Sequence, residues 1–519
     1  MKRTGAQIVC ESLIQEGVEV IFGLPGGAIL PLYQTLPQYP QLRHILVRHE
    51  QCAAHAADGY ARVTGKVGVC FATSGPGATN LVTGLANALM DSVPMVAVTG
   101  QVPRAAIGKD AFQETDVTGV TLPVTKHNYL VMSARELGPV MKEAFYLAAN
   151  GRPGPVLVDI PKDVLQEEGE FISPEIADLP GYRPEVAQFS QASLREAARL
   201  IGEAKRPLIL AGHGVIISQA YAELRELAEK AQIPVSTTLL GLSCFPASHV
   251  LCMGMPGMHG MAYANIAIDK ADLLIAVGMR FDDRVTGRIA DFATKAKIIH
   301  IDVDPAEIGK NVKPTVPLIG QAKAVLAGLN RHVKTATHVD WLSEIDQLKR
   351  EHPSHLIVDT DKVLPQYVVR QIWEATKGEA IVVTGVGQHQ MWAAQHFFYN
   401  RPATFVTSGG LGTMGFEVPA AMGAKVGKPN EMVWAVCGDG GFQMTLQELA
   451  TIAENKIDVK LAIFNNGFHG MVRQWQEFFY KKDYFATRFF NPDFVKLADA
   501  YGMPGFRVTS KAQVRPTIE

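Results

Sequence analysis

The sequence predicts an α/β protein built from three doubly wound parallel-sheet domains, and three observations carry that prediction. Short apolar runs alternate with amphipathic helical patterns along the whole 519 residues, as parallel strands covered by helices require. Glycine turns stand just after several of the runs, at 212–214, 257–260, 278 and 438–440, where open α/β sheets receive ligands. Two segments break the alternation: 167–184, rich in Pro, Gly and Glu, and 335–359, polar and charged. They read as linkers, so the domains are expected at 1–165, 190–335 and 360–519. No short-period repeat is visible.

The elements follow in order. MKRTGAQIVCESLIQEG at the N-terminus reads as an amphipathic helix. Strands are expected at 20–22, 45–48, 67–72, 95–99 and 156–159 in the first block. In the second they are expected at 208–211, 235–237, 273–277 and 298–301. The third block offers 381–384, 404–406, 432–437 and 459–464. A helical pattern with Leu446, Leu449, Ala450, Ile452 and Ala453 on one face joins the last two.

Composition narrows the function. Hydrophobic residues make up 47% and charged residues 19%, which is ordinary for a globular protein with large cores. A net charge of −2 gives no reason to expect nucleic acid or an anionic membrane as partner. No apolar stretch reaches the roughly 18 residues of a membrane span. The N-terminus lacks the apolar core and cleavage site of a signal peptide. Six scattered cysteines contain no C-x-x-C pair, so neither a zinc site nor a disulfide framework is expected. These features fit a cytoplasmic protein.

The most informative stretch is GDGGFQMTLQELATIAENKIDVKLAIFNN, residues 438–466. Asp439 and Asn466 each follow a predicted strand, so both stand at carboxyl ends of the sheet. One carboxylate and one amide oxygen, completed by backbone carbonyls and water, suit Mg²⁺. A cation held so sparingly usually takes further ligands from a diphosphate, and the glycines let the backbone approach one.

GDG followed at this distance by NN resembles the binding motif of thiamine-diphosphate (ThDP) enzymes. Further segments resemble one branch, the acetohydroxyacid (acetolactate) synthases: FGLPGGAILPLY, TSGPGATNLVTGLANALMDSVPMVAVTGQVP, DAFQETD, TKHNYLV and GRPGPVLVDIPKD. The resemblance runs over almost the whole chain. It implies decarboxylation of pyruvate and transfer of the two-carbon unit to pyruvate or 2-ketobutyrate, for branched-chain amino acid biosynthesis. Glu50, in RHEQCAAHAADGYAR, would be the carboxylate that activates ThDP. Gly27 and Ala28 would line the cofactor, with Phe112, Gln113 and Lys162 towards substrate and Lys126 a weaker candidate.

In the third block the resemblance places Gln388 and His389 near the ThDP phosphates, beside Gly438, Gly440 and Gly441. Met414, in SGGLGTMGF, would support ThDP in its bent shape, with Met471 also at the cofactor. Phe468 would lend a backbone oxygen to Mg²⁺. Trp475 lies four residues after Met471 on the same helix face and would narrow the acceptor pocket. The second block lacks G-x-G-x-x-G, yet it is similar to the family's FAD-binding domain. That likeness implies flavin contacts at Arg152, Gly212, Gly214, Thr238, Leu239, Gly257, His259, Arg280, Asp282, Arg284, Asp302 and Val303. Gln321 departs from the Gly-Asp of many relatives. Relatives also continue several dozen residues beyond Glu519, into an arm that helps close the site. A homodimer or homotetramer and a regulatory small subunit are implied partners. Pyruvate oxidase, whose flavin turns over, and a non-catalytic paralogue are the rival readings.

Overall fold

The computed structural model describes residues 2–172, 174–177, 179–182 and 189–519; the expected linker at 167–184 lies partly outside them. The chain divides into two compact units. One comprises Met1–Tyr182, Val382–Gln388 and Val406–Phe506, the other Arg183–Ile381, His389–Phe405 and Arg507–Glu519.

In the first unit the chain opens with a short strand, β1 (Lys2–Thr4), not with the expected helix. The helix begins at Gly5 because Thr4 caps it: Thr4 Oγ1 accepts from the Gln7 N–H, and Gln7 reaches back to Thr4 N. There follow β2 (Val20–Gly23), β3 (Arg43–Leu46), β4 (Gly68–Ala72), β5 (Met95–Gln101), β6 (His127–Leu130), β7 (Pro155–Pro161) and β8 (Glu168–Glu170). β1 pairs antiparallel with β8, within the expected linker. The other six form a parallel sheet in the order β3-β2-β4-β5-β7-β6. β3 lies two residues before its expected position. β6 was not expected, because its HNYL is exposed at both ends and only half-buried between them.

The second unit holds β9 (Pro207–Ala211), β10 (Val235–Thr237), β11 (Leu273–Val277), β12 (Lys297–Asp302) and β13 (Val316–Ile319). They pair in parallel in the order β10-β9-β11-β12-β13. The segment expected as a linker at 335–359 contains a helix, Val339–Glu351. Its buried Trp341, Ile345 and Leu348 recur at helical spacing among charged neighbours, which hid the pattern. Trp341 Nε1 donates to the Pro207 carbonyl at 3.0 Å and ties this helix to β9.

A third sheet combines β14 (Ile381–Thr384), β15 (Phe405–Thr407), β16 (Val433–Gly438) and β17 (Val459–Phe464) in the order β15-β14-β16-β17. Between β16 and β17 there are two short helices, Asp439–Thr445 and Glu448–Glu454, not one. Helix Glu50–Thr64 packs closely on helix Glu417–Gly427 within the first unit. A Cβ on Gly59 would collide with the Ala420 carbonyl, and one on Gly423 with that of Ala56. Gly423→Val is therefore expected to cost about 1–3 kcal/mol or more by overpacking. An unchanged melting temperature would show that the crossing yields without cost.

Candidate active site

The third sheet reverses its winding direction between β14 and β16, so the crevice beyond their carboxyl ends is the expected ligand site. Gly385–Gln388 follows β14 and Gly438–Gly441 follows β16. β16 and β17 pair with Gly438 opposite Phe464, which brings Asp439 level with Asn465 and Asn466. The contacts confirm it. Asp439 is 2% exposed. Its Oδ2 accepts from the N–H of Asn466 at 2.8 Å and of Gly467 at 2.6 Å, and from Asn491 Nδ2 at 2.7 Å. Its Oδ1 accepts from Gly440 N at 2.9 Å. The amide oxygen of Asn466 receives the Phe468 N–H at 2.9 Å. A buried carboxylate and an amide oxygen thus share one turn, as the sequence indicates. Asn491 is an addition that a lone asparagine far down the chain could not announce.

Around this turn, Gln388 Nε2 donates to Gln474 Oε1 at 3.1 Å. His389, which belongs to the second unit, is buried, its Nε2 has no hydrogen-bond partner, and burial lowers its pKa to about 4. A neutral imidazole with a free ring nitrogen remains available for hydrogen bonding. Met414 is half-buried and precedes Gly415, whose φ of +84° favours glycine. Helix Gly470–Phe479 carries Met471 and Trp475 and has no buried residue. Trp475 is 38% exposed and meets Phe479 edge-on at 6.2 Å between ring centroids.

One group here escaped the sequence reading. Glu417 is fully buried, and neither carboxyl oxygen has a well-formed hydrogen bond. It lies against Gly385 and Gly441; a Cβ on Gly441 would stand 2.6 Å from Oε1. Burial raises its pKa from 4.5 to about 7, only partly offset by the N–H groups of Glu417 and Gly415. Below pH 4.5 both folded and unfolded chains hold this proton. As pH rises towards 7 the unfolded chain releases it first, so stability is lost across that window. The cofactor-free protein is expected to lose on the order of 3 kcal/mol between pH 4.5 and 7 from this group. Glu417→Gln should flatten that part of the profile in melting curves. Equal pH slopes in both proteins would mean that another group holds the proton.

On the first sheet, winding reverses between β2 and β4. The loop after β2 carries Gly26, Gly27 and Ala28. A Cβ on Gly26 would meet Thr73 at 2.5 Å, whereas Gly27 faces open space. Ala28 N donates to Thr73 Oγ1 at 3.3 Å. Glu50 opens its helix behind the His49 N-cap and is 6% exposed. Its Oε2 accepts from Asn80 Nδ2 at 2.9 Å, and a Cβ on Gly77 would lie 3.3 Å from its Oε1. Thus Glu50 sits on the TSGPGATN turn. Gln113 has a φ of +61° and its backbone packs on Gly75; Phe112 beside it is 88% exposed. Lys162 begins helix Lys162–Gln166 and is half-buried. Lys126 has a structural role: its Nζ donates to the carbonyls of Leu147 and Asn150 at the end of helix Leu137–Ala149.

Three family models cover most of the chain. The N-terminal thiamine pyrophosphate-binding domain matches residues 3–120, the central domain 194–329 and the C-terminal thiamine pyrophosphate-binding domain 385–519. The chain is 54% identical to an acetolactate synthase of Mycobacterium bovis over 99% of its own length and 85% of that protein's. It is 51% identical to an acetolactate synthase large subunit of Corynebacterium glutamicum, covering 100% and 84%. It is 50% identical to the chloroplastic acetolactate synthase 1 of Oryza sativa subsp. japonica, covering 100% and 82%. The chain belongs to the acetolactate synthases.

As a ThDP enzyme of that family its cofactors are ThDP, Mg²⁺ and FAD. The residues fit them. Asp439 and the Asn466 amide oxygen, brought to one turn, are hard oxygen donors of the kind that suits Mg²⁺. Among the described residues no group of three or more His, Cys, Asp or Glu stands together as a metal site. In the second unit, the winding reverses between β9 and β11. There Gly212 and Gly214 pack on Gly278, close enough that a Cβ on Gly214 would lie 2.6 Å from the Gly278 Cα. Thr238 and Leu239 follow β10, Arg280, Asp282 and Arg284 follow β11, and Asp302 ends β12 before Val303. Eleven of the expected flavin residues belong to this unit, and most stand at or beyond the carboxyl ends of its strands.

Their local contacts are modest. Arg280 lies 3.5 Å from Asp282, and Arg284 pairs with Asp283 at 2.7 Å. Gly257 holds a φ of +96° and donates to Asn265 Oδ1. Burial lowers the pKa of His259. Arg152 belongs to the other unit, where its Nε donates to Ser92 Oγ at 2.9 Å. Gln321 precedes helix Ala322–Asn330 and makes no capping bond to it. No helix among the described residues is long and apolar enough to cross a membrane.

Proposed function

We propose that Glu50, Asp439 and Asn466 are the working residues of this acetolactate synthase. Pyruvate would be the donor, and pyruvate or 2-ketobutyrate the acceptor. The observation that carries the assignment is the Asp439–Asn466 turn at the reversal point of its sheet. ThDP, when bound, supplies the nucleophilic carbon and electron sink that decarboxylation of a 2-keto acid needs. The protein's part is placement. Asp439, Asn466 and Phe468 would hold Mg²⁺, and the backbone N–H groups around Gly438–Gly441, with Gln388 and His389, would receive the diphosphate. Glu50 would hold the proton exchanged with the aminopyrimidine ring. Gly27 and Met414 would bound the cofactor, and Gln113 and Lys162 the substrate. Product analysis with pyruvate alone and with 2-ketobutyrate, with ThDP, Mg²⁺ and FAD supplied, tests this. Absence of acetolactate would overturn it.

Trp475 would choose the acceptor. One methylene in an apolar pocket is worth about 1–3 kcal/mol. Trp475→Leu should therefore lower the ratio of acetohydroxybutyrate to acetolactate by about tenfold while pyruvate decarboxylation continues. An unchanged ratio in a destabilised protein would make Trp475 a packing residue only. The same reading takes 1–165 as the pyrimidine domain, 190–335 as the FAD domain and 360–519 as the diphosphate domain, in line with the three parallel sheets. A homodimer or homotetramer, a regulatory small subunit and a cytoplasmic location complete it. Relatives named as large subunits support the small subunit. The free cysteines, five of them buried, support a reducing compartment.

A further inference from the structure

Helix Val82–Asp91 ends in a buried cluster that the mechanism above does not use. Asp91 is 1% exposed, and Asp58 beside it is fully buried. Arg62 Nε donates to Asp58 at 2.5 Å and its Nη2 to Asp91 Oδ2 at 2.7 Å. Asn87 Nδ2 donates to Asp58 Oδ2 at 3.0 Å. Two buried carboxylates against one guanidinium leave an excess negative charge, which is costly unless further donors meet it. The loop that leads to Met414 supplies them. Gly409 N donates to Asp91 Oδ2 at 3.0 Å, and Gly410 N to Asp91 Oδ1 at 2.6 Å. The same loop is held again four residues earlier on the helix. Ser408 Oγ donates to Asn87 Oδ1 at 2.5 Å and Thr413 Oγ1 to the same oxygen at 3.2 Å; Thr413 N donates to Ser408 Oγ at 2.8 Å.

We propose that Asp91 is a positioning residue: its carboxylate, oriented by Arg62, grips Gly409 and Gly410 and so fixes the loop that presents Met414 to ThDP. This rests on the assignment of Met414 to the cofactor. Charge-assisted bonds to two successive backbone N–H groups are strong and directional. Each oxygen takes one N–H, so the loop has one position in which both bonds form. Its glycines are required by closeness as well, since a Cβ on Gly410 would stand 2.9 Å from Asp91 Oδ1 and 3.0 Å from Met90 Cβ.

The test compares holoenzymes carrying Asp91→Asn, Asp58→Asn and Gly410→Ala. Asp91→Asn keeps the shape but cannot accept from both glycines. Gly410→Ala leaves the ion cluster intact and pushes the loop away from it. Asp58→Asn weakens the cluster at an atom that touches no part of the loop. The readouts are turnover at saturating ThDP, ThDP affinity, melting temperature and the near-ultraviolet circular dichroism of bound cofactor. Asp91→Asn and Gly410→Ala should each lower turnover about 10- to 100-fold, as misplacement by about an ångström does, and alter the cofactor's dichroism. The pyruvate KM should stay within about twofold, because the change lies with the cofactor. Asp58→Asn, which reaches the loop only through Arg62 and Asn87, should lower the melting temperature and change dichroism and turnover less than Asp91→Asn does. If Asp91→Asn does not fold, Gly410→Ala carries the test alone. Normal turnover and dichroism in Gly410→Ala would overturn the proposal, as would a folded Asp91→Asn variant with normal turnover and dichroism. Wild-type protein that takes up ThDP without any dichroic band, and whose Met414→Ala variant binds it equally, would instead remove the underlying assignment of Met414, and the proposal with it.

Discussion

Glu50→Gln is expected to lower turnover by about 10²–10⁴-fold, the range for removal of one acid–base group. The substitution is nearly isosteric. Its amide oxygen can still accept from Asn80 Nδ2, which now bonds Glu50 Oε2 at 2.9 Å, so the TSGPGATN turn should stay in place. What disappears is the charge and the ability to take a proton. ThDP should still bind, because Asp439 and Asn466 are untouched. The competing view treats Glu50 as a first-turn acid that merely complements the helix dipole, worth about 0.3–1 kcal/mol. That view expects a slightly lower melting temperature and normal turnover. Measuring turnover, ThDP binding and melting on the same variant separates the two, and near-normal turnover would end the catalytic assignment.

Much of the fold was legible because parallel strands buried on both faces must be continuously apolar. β5, β7, β9 and β11 are buried along their whole length, and each was expected within a few residues. Edge strands gave the errors. β3 is RHIL, with its ends exposed and one residue fully buried, so the apolar ILV at 45–47 drew the expected strand forward. β6 and β13 border their sheets and expose part of their length. Neither carries the signal of a buried run.

The site shows the same division. Asp439 and Asn466 were legible as candidates because each stands just beyond a strand end and their spacing is informative. Asn80, Asn491 and Glu417 were not, since each is a single polar residue whose role depends on what folding brings beside it. Glu417 opens a helix, where an acid is unremarkable in sequence; only its burial against Gly385 and Gly441 makes it unusual. Asp91 likewise becomes meaningful only when Gly409 and Gly410, more than three hundred residues later, deliver their N–H groups to it.

Asp439→Ala is expected to abolish activity, and combining it with Glu50→Gln tests how the site is assembled. The Asp439 carboxylate receives four hydrogen bonds, from Gly440, Asn466, Gly467 and Asn491. Glu50 answers to a different set, Asn80 and the Gly77 turn. The two groups therefore form separate nests on different sheets, and nothing local requires that one chain supply both to the same cofactor. Large apolar side chains also stand open in the same unit: Phe112 at 88%, Phe485 at 81% and Phe490 at 90% exposed. We expect a dimer in which Glu50 of one protomer serves the ThDP held by Asp439 and Asn466 of the other. Each single variant is then inactive in both of its sites. A mixed dimer is different, because the Asp439→Ala chain brings an intact Glu50 and the Glu50→Gln chain an intact Asp439. One of its two sites is whole. After equal mixing and full exchange, half the dimers are mixed, so activity should recover to about one quarter of the wild-type value. Sites built within one chain allow no such rescue, since every chain carries one lesion. Differently tagged chains and native mass spectrometry establish that exchange has occurred, and inactivity in a mixture proven to contain mixed dimers would place Glu50 and Asp439 of a single chain in the same site.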